Sequence, residues 1–412
     1  MKILLLSLSL LLITSTGFSQ WNQLGLDIDG EASGDFSGSA VAISSDGLTT
    51  IIGAINNDAI GSNSGHARVY NYNGTDWIQL GNDIDGEAAL DNFGGAVSIS
   101  DDGLTVAIGA KNNDGTGINA GHVQVYNFDG TNWVQLGADI DGEAANDQSG
   151  TSVSLNSDGS IVAIGSPKST GAGSSVGHVE IYQFDGTNWV QQGLDIDGAI
   201  PSGLFGTSVS LSNNGNIVAI GAIHTAGGSG TEGYTGIFQF NGTNWVQQGA
   251  YINGEATDDH SGSSVSLSGD GSIVAIGATE NDGNGTNSGH TRIFQFNGTN
   301  WIQQGLDIDG EAANDRSARS IELSDDGLTV VIGAEGNDGS ATNAGHAKVY
   351  QFNGTNWIQK GLDIDGEAAF DMSGENVSIS DNGSKIAIGA VNNSGQQGHV
   401  RVFTFCSTTF NS

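Results

Sequence analysis

The chain has 412 residues, of which 46 are acidic and only 11 are Lys or Arg, so its formal net charge is −35 at pH 7. A charge of this sign and size repels phosphate backbones and anionic lipid, which argues against nucleic acid and membrane surfaces as partners. Apolar residues make up only 37% of the chain and are spread evenly along it. This distribution favours many thin structural units that share burial over one thick core.

The N-terminal segment has the pattern of a secretory signal peptide. Lys2 precedes the apolar run ILLLSLSLLLI, and the small residues Gly17 and Ser19 indicate cleavage before Gln20. The run is shorter than the ~18 apolar residues of a membrane-spanning helix. We therefore predict a signal peptide over residues 1–19 and a single domain over residues 20–412 that is secreted or held at the cell surface, without membrane insertion. The only cysteine, Cys406, excludes an internal disulfide.

Tryptophan recurs along the chain at a constant spacing of 56 residues. The seven copies are Trp21, Trp77, Trp133, Trp189, Trp245, Trp301 and Trp357. The register holds until the final unit, where the loop before His399 is three residues shorter. Repetition at a fixed period of this length predicts an array of similar structural units.

Each unit contains four strand signals, which the copy that begins at Trp133 illustrates. Apolar and serine residues alternate over 152–155, and a Ser-Asp-Gly turn leads to a second apolar stretch at 161–164. A third strand is predicted over 179–184, and Trp189 opens a fourth after an Asp-Gly turn, which is a strong hairpin signal. The whole chain therefore predicts about 28 short strands and no helix with regular caps.

Seven four-stranded units predict a β-propeller, in which blades pack face to face around an axis. A solenoid is the alternative, but the two ends of the repeat array argue against it. Each Asn-Gly or Asp-Gly hairpin joins a tryptophan strand to the strand before it, so Trp21 has no blade of its own and the last blade, ending at Phe405, has three strands. Residues 21–26 can complete that blade and leave no open edge. We predict an all-β, seven-bladed propeller with four strands per blade, closed by the N-terminal strand.

The repeat unit resembles the FG-GAP repeat of propellers like those of integrin α-chains. The resemblance rests on Phe93-Gly94, Phe205-Gly206, Ile108-Gly109-Ala110, Ile164-Gly165-Ser166-Pro167 and the G-H-V-x-V-Y strand that runs from Gly121 to Tyr126. It implies a seven-bladed ring, extracellular placement and a role in adhesion or ligand binding. Many members bind calcium in a long loop between the first two strands of a blade. Here that connection is the tight turn at residues 101–103, so those calcium sites do not transfer.

The exit loop of the tryptophan strand, D-I-D-G-E-A-A-x-D, is the main candidate site. Closely spaced carboxylates suit a hard cation such as Ca²⁺. The alternative is a solvated turn, in which the last Asp accepts hydrogen bonds from local backbone N–H groups. The candidate metal ligands are Asp27, Asp29, Glu31, Asp35, Asp83, Asp85, Glu87, Asp91, Asp139, Asp141, Glu143, Asp147, Asp307, Asp309, Glu311, Asp315, Asp363, Asp365, Glu367 and Asp371.

Two further patterns lie on the same face of the predicted ring. A glycine-rich loop such as 112–122 offers Asn and Asp oxygens that could bind a cation or sugar hydroxyls, although ordinary turns explain it equally well. A histidine opens the third strand of six blades, and we expect each to be satisfied within its own blade. These histidines are His66, His122, His178, His290, His346 and His399.

Two copies depart most from the repeat and are the best candidates for an asymmetric ligand site. In the fourth, the exit loop at 199–204 lacks the Glu and the last Asp, and Tyr234 replaces the histidine. Arg316 and Arg319 distinguish the sixth copy.

These observations predict a monomeric binding or adhesion module that takes an extracellular protein or carbohydrate and is not an enzyme. Two alternatives remain open. One is a polysaccharide-active enzyme, whose carboxylates would act as acid and base. The other is a purely structural surface protein whose charge keeps it soluble. Near-identical acids in five copies suit a multivalent or structural role better than one catalytic pocket.

Overall fold

The computed structural model describes residues 20–170, 175–223 and 232–406, so the predicted signal peptide lies outside the described residues. The described chain forms seven antiparallel sheets. In each sheet the strands follow one another from an innermost strand to an outer strand, and the seven innermost strands together line a central channel. The predicted seven-bladed propeller with small antiparallel blades is confirmed.

The strands of a blade fall into four positions. The innermost strands are Ser37–Ile43, Ala96–Ile99, Ser152–Leu155, Ser208–Leu211, Ser261–Leu267, Ser317–Leu323 and Ser373–Ile379. The second strands are Thr49–Ala54, Thr105–Ala110, Ile161–Ser166, Ile217–Ala222, Ile273–Ala278, Thr329–Ala334 and Lys385–Ala390. The third strands are His66–Tyr72, His122–Phe128, His178–Phe184, Tyr234–Phe240, His290–Phe296, His346–Phe352 and His399–Cys406.

The outer strand is broken into two segments, a detail that the sequence pattern did not predict. The first segments are Gln20–Gln23, Trp77–Gln79, Trp133–Gln135, Trp189–Gln191, Trp245–Gln247, Trp301–Gln303 and Trp357–Gln359. The second segments are Ile28–Asp29, Ile84–Asp85, Ile140–Asp141, Ile196–Asp197, Ile252–Asn253, Ile308–Asp309 and Ile364–Asp365. Both segments pair with the same third strand, and a glycine at positive φ, such as Gly81 at 76°, lies at the break. The shortened loop of the last blade contains a tight turn at Asn393–Gln396, in which Ser394 and Gly395 have positive φ.

The N-terminal strand closes the ring, as predicted. It pairs antiparallel with the third strand of the last blade, and Trp21 lies opposite Phe405. The two rings are 5.1 Å apart. The last blade therefore takes its outer strand from the opposite end of the described chain, and the sheet has the same strand order as the other six.

Neighbouring blades approach each other backbone to backbone at a pair of glycines. A Cβ on Gly53, in the second strand of the first blade, would lie 1.9 Å from the carbonyl oxygen of Gly94 in the next blade. Gly94 follows the fully buried Phe93 and has φ of +87°, a conformation that favours glycine. The Phe-Gly and Ile-Gly-Ala motifs therefore meet across the blade interface, because their glycines allow this close approach. In the sixth blade Ala318 takes the second glycine's place, at φ of 70°.

Apolar clusters and interblade hydrogen bonds hold the blades together. Seven buried clusters each combine side chains of adjacent blades, as where Val123 and Val125 pack with Ile164. Each tryptophan indole donates to a backbone carbonyl of the preceding outer strand at 2.7 to 2.8 Å. The large outer side chain thus links two blades, which explains its strict recurrence.

The tight turns after the innermost strands form a ring of backbone hydrogen bonds around the channel mouth. The amide of Ser45 donates to the carbonyl oxygen of Asp101 at 3.1 Å, and the same bond repeats from blade to blade until Asp381 donates back to Ser45 at 3.2 Å. The complete ring consists of Ser45, Asp101, Ser157, Asn213, Gly269, Asp325 and Asp381. This end of the channel is therefore framed by paired backbone groups.

Candidate functional site

The acids of the exit loops occupy different environments, although they are close in sequence. The first Asp of the loop accepts a hydrogen bond from the glutamine four residues earlier, as Asp139 does from Gln135 at 2.6 Å. The second Asp lies on the short outer segment, where Asp141 pairs in register with His122. The Glu of the loop points toward the next third strand, and its side chain is about half exposed.

The last Asp of each loop is a buried turn residue. Asp91 is 3% exposed, and its Oδ2 accepts hydrogen bonds from the amide of Ala88 at 3.1 Å and from Asn113 Nδ2 at 3.0 Å. The same backbone bond is made by Asp35, Asp147, Asp315 and Asp371. This geometry matches the turn alternative for these five positions. The glycine-rich loop is likewise ordered by turns, since Asp58 Oδ1 accepts from the Asn63 amide at 2.7 Å.

Acids from two consecutive exit loops meet at the histidine of the strand between them. In the first blade, ligand atoms of Glu31, His66 and Asp83 lie within 4.8 Å of one another. We call this arrangement the interblade cleft. It recurs as Glu87/His122/Asp139, Glu143/His178/Asp195, Glu255/His290/Asp307 and Asp27/Glu367/His399. In the sixth blade, the negative charges of Glu311 and Asp363 likewise favour the protonated form of His346.

The expectation that each histidine is satisfied within its own blade is wrong for His66. His66 is 1% exposed, and neither ring nitrogen has a hydrogen-bond partner among the described residues. Its nearest acid, Glu31, comes from the preceding exit loop, with Oε2 3.9 Å from Nδ1. The histidines are held apart from one another, but each receives carboxylates from two loops, such as Glu31 and Asp83, which lie 35 and 17 residues from His66 in the sequence.

In four of the six clefts, the side chain two residues after the histidine is Arg or Lys, and its positive charge offsets part of the negative charge of the two acids. Arg68 lies 3.6 Å from Glu31, and burial together with Arg68 lowers the pKa of His66 to about 4. Arg292, Lys348 and Arg401 occupy the same position, and burial and these cations lower the pKa of the histidine beside each. In the second blade the residue is Gln124, which donates to Glu87 at 3.1 Å and to Asp139 at 3.0 Å.

The third blade has an acid two residues after its histidine. Glu180 is 2% exposed, and its Oε2 lies 3.7 Å from Nε2 of the equally buried His178. Burial alone would lower the pKa of His178, but Glu180 raises it, together with Asp195 and Glu143. Burial and the charges of Glu180 and Asp195 raise the pKa of Glu143. The sequence analysis missed Glu180 and Asp195 as site residues.

In the fourth blade the whole cleft is replaced by aromatic packing. Tyr234 takes the place of the histidine, and its hydroxyl accepts a hydrogen bond from the Ala199 amide at 3.1 Å. Its ring packs 5.0 Å from Tyr251, which replaces the first Asp. Gly236 leaves room for this ring, since a Cβ there would lie 2.8 Å from it. In the fourth copy, packed aromatic side chains therefore replace the charged cleft.

The sixth copy's arginines form ion pairs at the loop end of the channel. Arg316 lies 3.4 Å and Arg319 3.3 Å from the buried Glu335. Arg319 and Glu322 also line a channel cavity of about 300 Å³, whose other lining residues are mostly Ser, Ala and Val. Burial raises the pKa of Glu322 to about 7. Sequence reasoning did not single out Glu322, although it stands where most copies carry a serine.

Seven blades around a channel, with the long loops gathered on one face, define the protein as a β-propeller. A family model described as FG-GAP repeat matches residues 84–126 and 252–294. Each match runs from a second outer segment through the next two strands and into a third strand. The chain is therefore a seven-bladed propeller in which two segments match the FG-GAP repeat that the resemblance predicted. No curated protein matched the chain. Within the described residues, no helix has the length and apolar character needed to cross a membrane.

Proposed function

We propose that the protein is a secreted or cell-surface binding module that presents its loop face to an extracellular protein or carbohydrate. The observation that carries this proposal is the repeated display of half-exposed glutamates around one face. The side chains of Glu31, Glu255, Glu311 and Glu367 are 45 to 50% exposed, each at the mouth of an interblade cleft. Regularly spaced, similar contacts favour multivalent binding, in which several weak interactions act together.

Divalent cations are the proposed partners of this acidic face. The glutamates and the first two Asp residues of each loop offer carboxylate oxygens, which are the ligands that Ca²⁺ prefers. Like charges on one rim also repel each other unless ions screen them. The last Asp of each loop is excluded from this role in our proposal, because its Oδ2 already accepts two hydrogen bonds in blades such as the second.

Thermal unfolding of the mature chain tests the cation proposal. The midpoint is measured in EDTA, in millimolar CaCl₂ and in NaCl of the same ionic strength. An ion at ~100 times its dissociation constant adds about 2.7 kcal/mol to the free energy of unfolding, so specific binding raises the midpoint above the NaCl value. Equal midpoints in CaCl₂ and NaCl would leave the acids with a role in solubility alone.

Binding to immobilised polysaccharides and to extracellular-matrix proteins tests the ligand face. The double variant Glu31→Gln/Glu367→Gln removes two charges from the loop face. Its matched control, Asp129→Asn/Asp185→Asn, removes two charges from the tight-turn face, where other repeats carry asparagine, as at Asn73. We expect the first variant to weaken binding and the control to bind normally. A propeller that captures none of these probes would instead favour the purely structural alternative. The assignment as a non-enzyme stays a prediction.

A further inference from the structure

The interblade clefts differ at one position that decides their charge. Two residues after the histidine, the six clefts carry Arg68, Gln124, Glu180, Arg292, Lys348 and Arg401. Five of these side chains can donate hydrogen bonds to the surrounding carboxylates, and four carry a positive charge. Glu180 is the exception, since an ionised carboxylate is an acceptor only. The third-blade cleft therefore lacks the internal donor that the other clefts contain.

Burial of the ionised Glu180 carboxylate costs free energy unless a cation lies beside it. Glu180 and His178 are each 2% exposed, and neither Glu180 Oε2 nor His178 Nε2 has a hydrogen-bond partner among the described residues. Glu180 Oε1, in contrast, accepts a hydrogen bond from the hydroxyl of Tyr182 at 2.8 Å. A buried carboxylate is stable when it is paired with a cation or coordinates a metal. Glu180 Oε2 and His178 Nε2 lie 3.7 Å apart and form an ion pair only when the imidazole is protonated.

Two more carboxylates complete the group. Ligand atoms of Glu143, His178 and Asp195 lie within 4.8 Å of one another. The charged groups that act on Glu143 are Glu180, Asp195, His178 and Asp147, and none of them is Lys or Arg. Glu180 Oε2 approaches the same imidazole, at 3.7 Å from Nε2, so three acids surround one histidine where the loop between the second and third blades meets the third strand of the third blade.

We propose that Glu143, His178, Glu180 and Asp195 bind one divalent transition-metal ion, with Zn²⁺ as the preferred metal. One imidazole nitrogen and three carboxylate oxygens supply the four ligands that zinc takes in proteins. The nitrogen ligand favours such a metal over Ca²⁺, which takes six to eight oxygens. The site does not rest on the proposed ligand face, because it occupies a single cleft and uses two buried side chains.

The second blade provides a matched control. Gln124 occupies the position of Glu180, and its Oε1 accepts a hydrogen bond from Tyr126 at 2.8 Å, just as Glu180 does from Tyr182. Gln and Glu are nearly identical in shape, so Glu180→Gln converts the third cleft to the second type. The reverse change, Gln124→Glu, creates a second copy of the proposed site from Glu87, His122 and Asp139.

Zinc stoichiometry of the mature chain tests the proposal. Each protein is stripped with EDTA and titrated with ZnCl₂ by calorimetry, first without calcium and then in millimolar CaCl₂, with near-ultraviolet circular dichroism as the check on folding. We expect one equivalent of zinc for the parent chain, none for Glu180→Gln and two for Gln124→Glu. Asp129→Asn, on the opposite face, keeps one equivalent.

Several outcomes would overturn the site. These are a parent chain without saturable binding, a folded Glu180→Gln variant that keeps its zinc, and a folded Gln124→Glu variant that stays at one equivalent. Competition by CaCl₂ that abolishes zinc binding in the parent would show a calcium site and also overturn the metal assignment. Because ligand capture by the loop face is measured separately, failure of either proposal leaves the other testable.

Discussion

The indole nitrogen of Trp21 donates a hydrogen bond to the carbonyl oxygen of Lys360 at 2.8 Å, across 339 positions of the chain. The ammonium group of Lys360 in turn lies 4.8 Å from the ring of Phe405, on which Trp21 packs. The junction between the sixth and seventh blades therefore depends on a strand that no hairpin attaches to its sheet. The other six outer strands are attached by a tight turn, such as that at Asn241–Asn244.

Trp21→Ala is expected to destabilise the protein more than Trp357→Ala. Both side chains are buried, and both donate the same interblade hydrogen bond. Loss of a large buried aromatic costs about 3–5 kcal/mol at either site. At Trp21 the whole terminal strand can also detach, which opens the last sheet. Urea unfolding gives the two free energies, and limited proteolysis reports on the N-terminal strand. Equal losses of unfolding free energy, with the N-terminal strand still protected from proteolysis, would contradict the prediction that this strand detaches when Trp21 is removed.

Gly53→Ala is expected to disrupt the contact between the first two blades. Its Cβ would lie 1.9 Å from the backbone oxygen of Gly94, and neither backbone can yield without separating the blades. Overpacking of this kind costs about 3 kcal/mol. The control is Gly74→Ala, which has no atom within 4 Å of the new Cβ and places alanine at a strained φ of +96°, a strain that Gly53→Ala does not add. The control should lose only about 1–2 kcal/mol. A loss at Gly53 no larger than that of the control, measured by thermal unfolding, would show that close contact between the blades does not explain the motif.

Asp315→Ala should lower stability by the same amount with and without calcium. The Asp315 carboxylate accepts hydrogen bonds from the Ala312 amide at 2.9 Å and from Asn337 at 3.0 Å. Removal leaves buried donors without a partner, at a cost of about 1–3 kcal/mol. Midpoints of the variant and the parent are compared in EDTA and in CaCl₂. A variant that loses only the stabilisation by calcium would identify Asp315 as a ligand and not as a turn residue.

Glu322 should make the propeller less stable as the pH rises from about 4.5 to about 7. Burial raises the pKa of its carboxyl from 4.5 to about 7, so the folded state binds more protons than the unfolded state in this window. The free energy of unfolding therefore falls as the pH rises, by at most ~1.4 kcal/mol per pH unit. Glu322→Gln removes this titration and is expected to be the more stable protein above pH 7. If the free energies of unfolding of the two proteins change in parallel with pH, the raised pKa of Glu322 is contradicted.

Repetition made the architecture predictable, whereas the clefts required a three-dimensional structure. Fixed spacing of tryptophan and hairpin residues specified seven similar units, and the unpaired strand at Trp21 specified how they close. Glu31 and Asp83 belong to two consecutive exit loops and His66 to the strand between them, and only the ring geometry brings them together. One signal in the sequence could have revealed the clefts, because in the fourth copy all the cleft positions change together. The replacements there are Ala199, Tyr234, Gly236 and Tyr251.

The ring of turn-to-turn hydrogen bonds that begins at Ser45 and returns to it has a consequence for how the molecule unfolds. In a linear repeat array, each terminal unit has one neighbour, and melting can begin there and spread. Here every blade has two neighbours, and all seven amides donate in one rotational sense around the axis. No blade can leave without breaking two seams at once. The closed circuit therefore favours all-or-none unfolding in a chain whose separate repeats are individually too small to be stable.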